Sequence, residues 1–205
     1  MLRGLRARGL DVGAMKPVET GVGTAGPLDA IALRAASGAE DDLAEVCPER
    51  FRMPAAPSVA AEQEGRRIDL TRIRACFDTL AARHALMLVE GAGGLLVPLS
   101  ETLDMAGLAE RLGLPLLLVA RGALGSINHT RLSLEALSAR GLDLAGVVIS
   151  HGSAALSAAD ALNLDALRRE LGPRLMGEIP PLGPSEVPPP RMIDLDALLR
   201  ALGHA

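Results

Sequence analysis

Tryptophan and tyrosine are absent from the 205 residues, phenylalanine occurs only as Phe51 and Phe77, and lysine occurs once. Without aromatic faces the chain lacks the platforms on which single-stranded nucleic acids usually stack. A net charge of −4 points the same way, because it offers no basic footprint for a polyanion. Cysteine is limited to Cys47 and Cys76, at no metal-ligand spacing and behind no recognisable leader. Both are expected to be reduced packing thiols in a cytoplasmic protein. No apolar run reaches the ~18 residues that cross a bilayer, so neither a membrane nor a nucleic-acid partner is expected.

What is present is aliphatic. Hydrophobic residues make up 49% of the chain, so the core must be Leu, Val, Ala, Ile and Met, and the length suits a single α/β domain over 1–205. The apolar runs 11–15, 86–90, 114–120, 144–150 and 175–179 read as strands buried on both faces. Helical patterns separate them at 28–37, 69–84, 102–113, 126–141 and 158–171, with a short helix at 193–202. Such alternation predicts a parallel sheet wrapped by helices. The proline-rich 180–190 must be loop, since proline lacks a donor and fixes φ. The opening "MLRGLRARG" reads as an amphipathic helix with no strand or phosphate-binding turn before it.

Ligands of parallel sheets bind beyond the carboxyl ends of the strands, which directs attention to the residues just past each run. The sole lysine, Lys16, follows the first run, ahead of Glu19 and Thr20. A surface cation serves equally as Arg, whereas a compact point charge that must meet a reacting group does not. Lys16 is therefore a candidate for chemistry, the alternative being one surviving surface lysine. Glu90 ends an apolar strand and runs into Gly91, Ala92, Gly93 and Gly94. A carboxylate there needs a cation, and magnesium suits one or two carboxylates combined with phosphate oxygens; a structural ion pair is the alternative. Asp29 could be the second carboxylate or could simply complement its helix dipole. Gly125, Ser126, Ile127 and Asn128 open a helix, where an anion can bind and where Ser126 is equally a good N-cap. The glycines at 91–94 do not form a dinucleotide fingerprint, because Leu96 stands where G-x-G-x-x-G requires its third glycine. His84, His129 and His204 read as structural or surface histidines.

In order along the chain, "KPVETG" (16–21), "LDAIAL" (28–33), "AAPSVAAEQEG" (55–65), "VEGAGGLLVPL" (89–99), "LGSINHT" (124–130), "GLDLAGVVI" (141–149) and "GEIPPL" (177–182) resemble the dethiobiotin synthase family. The resemblance implies a P-loop NTPase-like α/β fold and an ATP- and Mg²⁺-dependent enzyme of biotin synthesis. The family reaction closes a cyclic urea on 7,8-diaminopelargonate: an amine captures CO₂ as a carbamate, ATP phosphorylates it, and the second amine displaces phosphate. By the same resemblance, Lys16 would neutralise the carbamate and the transferring phosphoryl group, and Thr20 would bind the amine or carbamate end. Asp29 and Glu90 would hold Mg²⁺ between the β- and γ-phosphates, while Gly91, Ala92, Gly93 and Gly94 would lie against the nucleotide and the carbamate. Residues 125–128 would bind the distal carboxylate across a homodimer. Pro180, Pro181 and Leu182 would flank adenine.

The chain departs from the family pattern in three places. G-x-x-x-x-G-K-[ST] is missing, the adenine-reading Asn-Asp is Ser150-His151, and Ser58 stands where a histidine is frequent. The missing loop predicts a first strand and phosphate cradle lost by truncation or a misassigned start, with poor ATP turnover in the 205-residue chain. A P-loop-less, non-catalytic homologue binding a small anion, or a related amidoligase, is the alternative.

Overall fold

The protein is described from a computed structural model, over residues 1–152, 157–183 and 186–203. His204 and residues 184–185 of the proline-rich loop lie outside the described residues. The chain divides into two compact units, one from Leu2 to Leu112 and one from Gly113 onward.

The N-terminal unit runs α1 (Leu2–Ala7), β1 (Val12–Met15), β2 (Val18–Glu19), α2 (Leu28–Ser37), α3 (Leu43–Val46), β3 (Glu49–Arg50), α4 (Pro57–Gln63), α5 (Leu70–Ala81), β4 (Leu86–Val89) and α6 (Met105–Leu112). β1 pairs in parallel with β4, from Val12 opposite Leu86 to Met15 opposite Val89. β2 pairs in parallel with the equally short β3. Every residue of β1 is buried, as expected for a strand covered on both faces. β4 is only half-buried along its length, which corrects the expectation of full burial. Within its two-stranded sheet it pairs with β1 alone, yet β1 in the same sheet is fully buried, so the difference lies in how the two strands are covered and not in their strand pairing. Met15, Val18, Phe51, Ile73 and Leu80 are fully buried and form the interior of this unit.

α2 occupies residues 28–37 as the sequence pattern predicts, and it stops at Gly38, whose φ of 71° suits glycine in the left-handed region. Its start is less ordinary. The residue before it is Pro27, which supplies no side-chain cap. α5, by contrast, is capped locally by Asp69, whose carboxylate accepts from the Arg72 amide at 2.9 Å.

The second unit comprises β5 (Leu116–Arg121), α7 (Ser126–Ala139), β6 (Leu144–Ser150), α8 (Ala158–Leu171), β7 (Leu175–Ile179) and α9 (Leu195–Ala201), with 3₁₀ turns at Gly172–Arg174 and Pro190–Met192. Its three strands form a parallel sheet in the order β5-β6-β7. The central strand β6 is buried from Ala145 to Ile149, and Val147 and Ile149 pack with Leu164, Leu167 and Leu171 of α8. β5 lies at the edge and leaves Val119 61% exposed, again less covered than its apolar sequence predicts. The proline-rich segment carries no helix or strand over 180–183 and 186–189, then enters the 3₁₀ turn at Pro190.

Candidate active site

β1 ends at Met15, β4 ends at Val89, and the parallel register sets these two residues side by side. The next residue of each strand is therefore delivered to the same edge, as Lys16 and Glu90. The Lys16 ammonium lies 2.7 Å from Glu90 Oε1 and donates to the Gly91 carbonyl at 3.2 Å. It also lies 2.9 Å from Asp29 Oδ2, at the first turn of α2. Three of the residues singled out from sequence thus meet at one ammonium. Lys16 is buried, while the carboxylate side chains are about half exposed, 57% for Asp29 and 46% for Glu90.

Burial alone would drive the Lys16 ammonium toward its neutral form. The hydrogen bonds and charges of Glu90 and Asp29 outweigh that cost and hold its pKa above the ordinary lysine value. The lysine is therefore a fixed cation at neutral pH. Two carboxylates meet one ammonium, so the cluster keeps an excess negative charge facing solvent. Such a donor set fits a hard divalent cation that completes its shell with water or phosphate oxygens. Among the described residues there is no group of three or more His, Cys, Asp or Glu able to hold a metal, so a metal site here would rest on these two carboxylates and on ligands from outside the chain.

Thr20 directly follows β2 and is half-buried. Gly91 and Gly93 follow β4. Gly93 adopts φ 76°, and a side chain at this position would meet Val97. Ala92 between them is buried.

In the second unit, Gly125 adopts φ 88° and precedes α7, whose first residue Ser126 is buried without making a side-chain cap. The reading of Ser126 as the cap is therefore corrected: the cap position is Gly125, and no side chain fills it. Ile127 packs against the β6–α8 core, whereas Asn128 is exposed. Pro180, Pro181 and Leu182 follow β7 in an irregular segment.

His151 follows β6 with its side chain 3% exposed, and its Nε2 faces Glu178 Oε1, which is also held by Arg168. Its Nδ1 is buried with no hydrogen-bond partner among the described residues. Arg168 foremost, and His151 after it, hold the Glu178 carboxyl below its ordinary pKa despite partial burial.

Two features had no functional reading in the sequence. Glu19 is buried at 6% exposure, and its two oxygens accept from the amides of Asp29 and Ala30, each at 3.0 Å. The available signal was a carboxylate one residue past a buried position in a two-residue strand. His84 is the other: Nδ1 lies 2.8 Å from Asp11 and Nε2 2.9 Å from Asp41. This histidine precedes β4, at the amino end of the sheet and away from Lys16.

A concave surface of about 900 Å³ on the N-terminal unit is lined by Val22, Arg50, Phe51, Met53 and Arg66 among others, and contains none of Lys16, Asp29 or Glu90. Two of its arginines, Arg50 and Arg66, hold protein groups. Arg50 donates to the carbonyls of Cys47 and Leu43, and Arg66 donates to the Arg50 carbonyl and to Glu49 while lying 4.4 Å over the Phe51 ring.

The fold is α/β with parallel strands that deliver a lysine and a carboxylate to one edge, and the AAA domain family matches residues 2–188. Over 151 residues it is 50% identical to the ATP-dependent dethiobiotin synthetase BioD of Anaeromyxobacter dehalogenans, covering 74% of this chain and 68% of that protein. Over 184 residues it is 43% identical to the protein of the same name from Aromatoleum aromaticum, covering 88% of this chain and 81% of that one. The chain belongs to the dethiobiotin synthetase family.

Proposed function

We propose that the protein closes the ureido ring of dethiobiotin from 7,8-diaminopelargonate, CO₂ and ATP. The single observation that carries this reading is the meeting of Lys16, Asp29 and Glu90 at one strand edge, in a chain of this family. An amine of the substrate adds to CO₂ and loses a proton to give a carbamate. The carbamate oxygen takes the γ-phosphoryl group of ATP, releasing ADP. The neighbouring amine then attacks the carbamoyl carbon, expelling phosphate and closing the ring.

Negative charge accumulates at each stage before release, and a buried ammonium preorganised to meet it lowers the barrier without reorganising in the act. Lys16 is that cation in this account. Asp29 and Glu90 orient its ammonium, and the same carboxylates are the groups that would hold Mg²⁺. When bound, the metal would supply charge neutralisation between nucleotide phosphates. Thr20 hydrogen-bonds the amine or carbamate end. The loop Gly91, Ala92, Gly93 lets the ligand approach backbone closely, since glycine presents no side chain there. Gly125, Ser126, Ile127 and Asn128 receive the distal carboxylate at a helix start, across a homodimer. Pro180, Pro181 and Leu182 flank the base of the nucleotide. Cys47 and Cys76 are free thiols, in keeping with a cytoplasmic enzyme.

The test is formation of dethiobiotin, read by mass, from 7,8-diaminopelargonate, ¹³C-bicarbonate and MgATP. It is run on the 205-residue chain and on any in-frame extension encoded upstream of Met1. Product carrying one ¹³C is expected from at least one of these. Its absence from both would overturn the proposal.

A further inference from the structure

The amino end of α2 is capped by a side chain that belongs to another element. Pro27 has no side-chain donor or acceptor to offer the first turn. The first amides of a helix have no intrahelical partner and must find one. Here the partner is Glu19, ten residues earlier, whose Oε1 takes the Asp29 amide and whose Oε2 takes the Ala30 amide, each at 3.0 Å. A buried carboxylate without such bonds would be costly. At a helix amino end it gains from both the amides and the dipole.

Glu19 is itself fixed. It pairs with Arg50 in the β2–β3 ladder, and its carbonyl accepts from the Phe51 amide at 2.9 Å. Lys16 begins the same segment and is anchored by its amide to the Val46 carbonyl at 2.8 Å. The Asp29 side chain, by contrast, is 57% exposed, so little packing holds it and its place follows from its backbone. A closed circuit results: Lys16, the short segment to Glu19, the Asp29 amide, and the Asp29 carboxylate back to Lys16 at 2.9 Å.

We propose that Glu19 is a positioning residue, setting the Asp29 backbone so that its carboxylate reaches the Lys16 ammonium. For the reaction this rests on the reading given above; as a statement about geometry it stands alone. A carboxylate is required because two adjacent amides need two acceptors. Glutamine offers one, and its NH₂ group would confront the second amide.

The single lysine makes the test direct, since lysine labelled with ¹³C at Cε gives one resonance, that of Lys16. Its titration is followed in the unaltered 205-residue chain and in Glu19→Gln, Asp29→Asn and the double variant, with far-UV circular dichroism reporting the fold. Glu19→Gln is expected to move the Lys16 midpoint to lower pH, and to cause no further movement in the Asp29→Asn background. A midpoint unchanged in folded Glu19→Gln, or a shift that persists without Asp29, would overturn the proposal. Should Glu19→Gln fail to fold, the same comparison is made with Glu19→Asp, too short to span both amides. Loss of fold in both would assign Glu19 a purely structural role and also overturn the proposal. None of these readouts depends on product formation, so failure here leaves the proposed reaction to its own test.

Discussion

Lys16 and Glu90 are separated by 74 positions in sequence, yet Nζ and Oε1 lie 2.7 Å apart because β1 and β4 run in parallel register up to the residues just before them. Their contact is thus a consequence of strand pairing and needs no long, independently ordered loop. Asp29 joins from a separate element, the first turn of α2. The cluster therefore has two routes of assembly, one through the sheet and one through a helix start.

Glu90→Gln removes one charge and keeps the size. Metal with nucleotide is expected to bind at least several-fold more weakly, while 7,8-diaminopelargonate binding changes little, because Lys16 retains Asp29 as a counter-ion. Calorimetric titration of each ligand separates the two effects. Equal loss of both ligands would mark Glu90 as a structural ion-pair partner only.

His84 carries an expectation about pH. Each ring nitrogen faces a carboxylate oxygen, of Asp11 and of Asp41, and only the doubly protonated ring can donate to both. Burial pushes its pKa down, but the bonds to Asp11 and Asp41 more than offset this and leave it raised. Arg83, which reaches Asp41 and Glu45, is the nearby cation and opposes the effect through Asp41. A raised folded pKa means that the stabilisation is complete below the unfolded value of about 6.5 and is lost as pH rises through the folded value. Melting temperature followed by circular dichroism is expected to fall on that alkaline side, and His84→Gln is expected to flatten this part of the profile. An identical slope in the variant would remove His84 from the account.

How much of this was legible in the sequence depends on the kind of signal. The helix at 28–37 and the strands at 144–150 and 175–179 follow from apolar periodicity and coincide with α2, β6 and β7. Lys16, Asp29 and Glu90 could be singled out because each stands where an element begins or ends. β2 and β3 escaped, since a two-residue strand has no period to read. The role of Glu19 escaped for the same reason, and because Pro27 gives no local hint that a cap must come from elsewhere. His84 was read as inert because Asp11 and Asp41 are remote in sequence. The half-exposed β4 and β5 differ from prediction because composition reports how apolar a strand is and not how fully other elements cover it.

Gly177 tests the packing of the second unit. A Cβ built there would lie 2.8 Å from Ile193 Cα and closer still to the Met192 carbonyl oxygen, and these are backbone atoms that no rotamer change can move aside. Gly177→Ala is expected to destabilise the protein by about 1–3 kcal/mol through overpacking. At Gly183 a Cβ would meet no atom nearer than 3.6 Å, so Gly183→Ala serves as the control. Urea unfolding must be followed by far-UV circular dichroism, since the chain has no tryptophan or tyrosine. Equal stability of the two variants would contradict the observed approach of Ile193 to β7.

The central claim is that Lys16 acts as a compact cation at the reacting centre, and the substitution that addresses it most directly is Lys16→Arg. The charge is kept, but a broad rigid fork replaces a point ammonium that must meet two carboxylates and a reacting anion. The measurement is the initial rate of dethiobiotin formation, compared between Lys16→Arg and the unaltered protein in the form that makes product, with circular dichroism showing the fold intact. A fall of roughly 10²–10³-fold, the size typical of losing one preorganised electrostatic contact, is the predicted result. A rate within a few-fold of the unaltered protein would contradict the account.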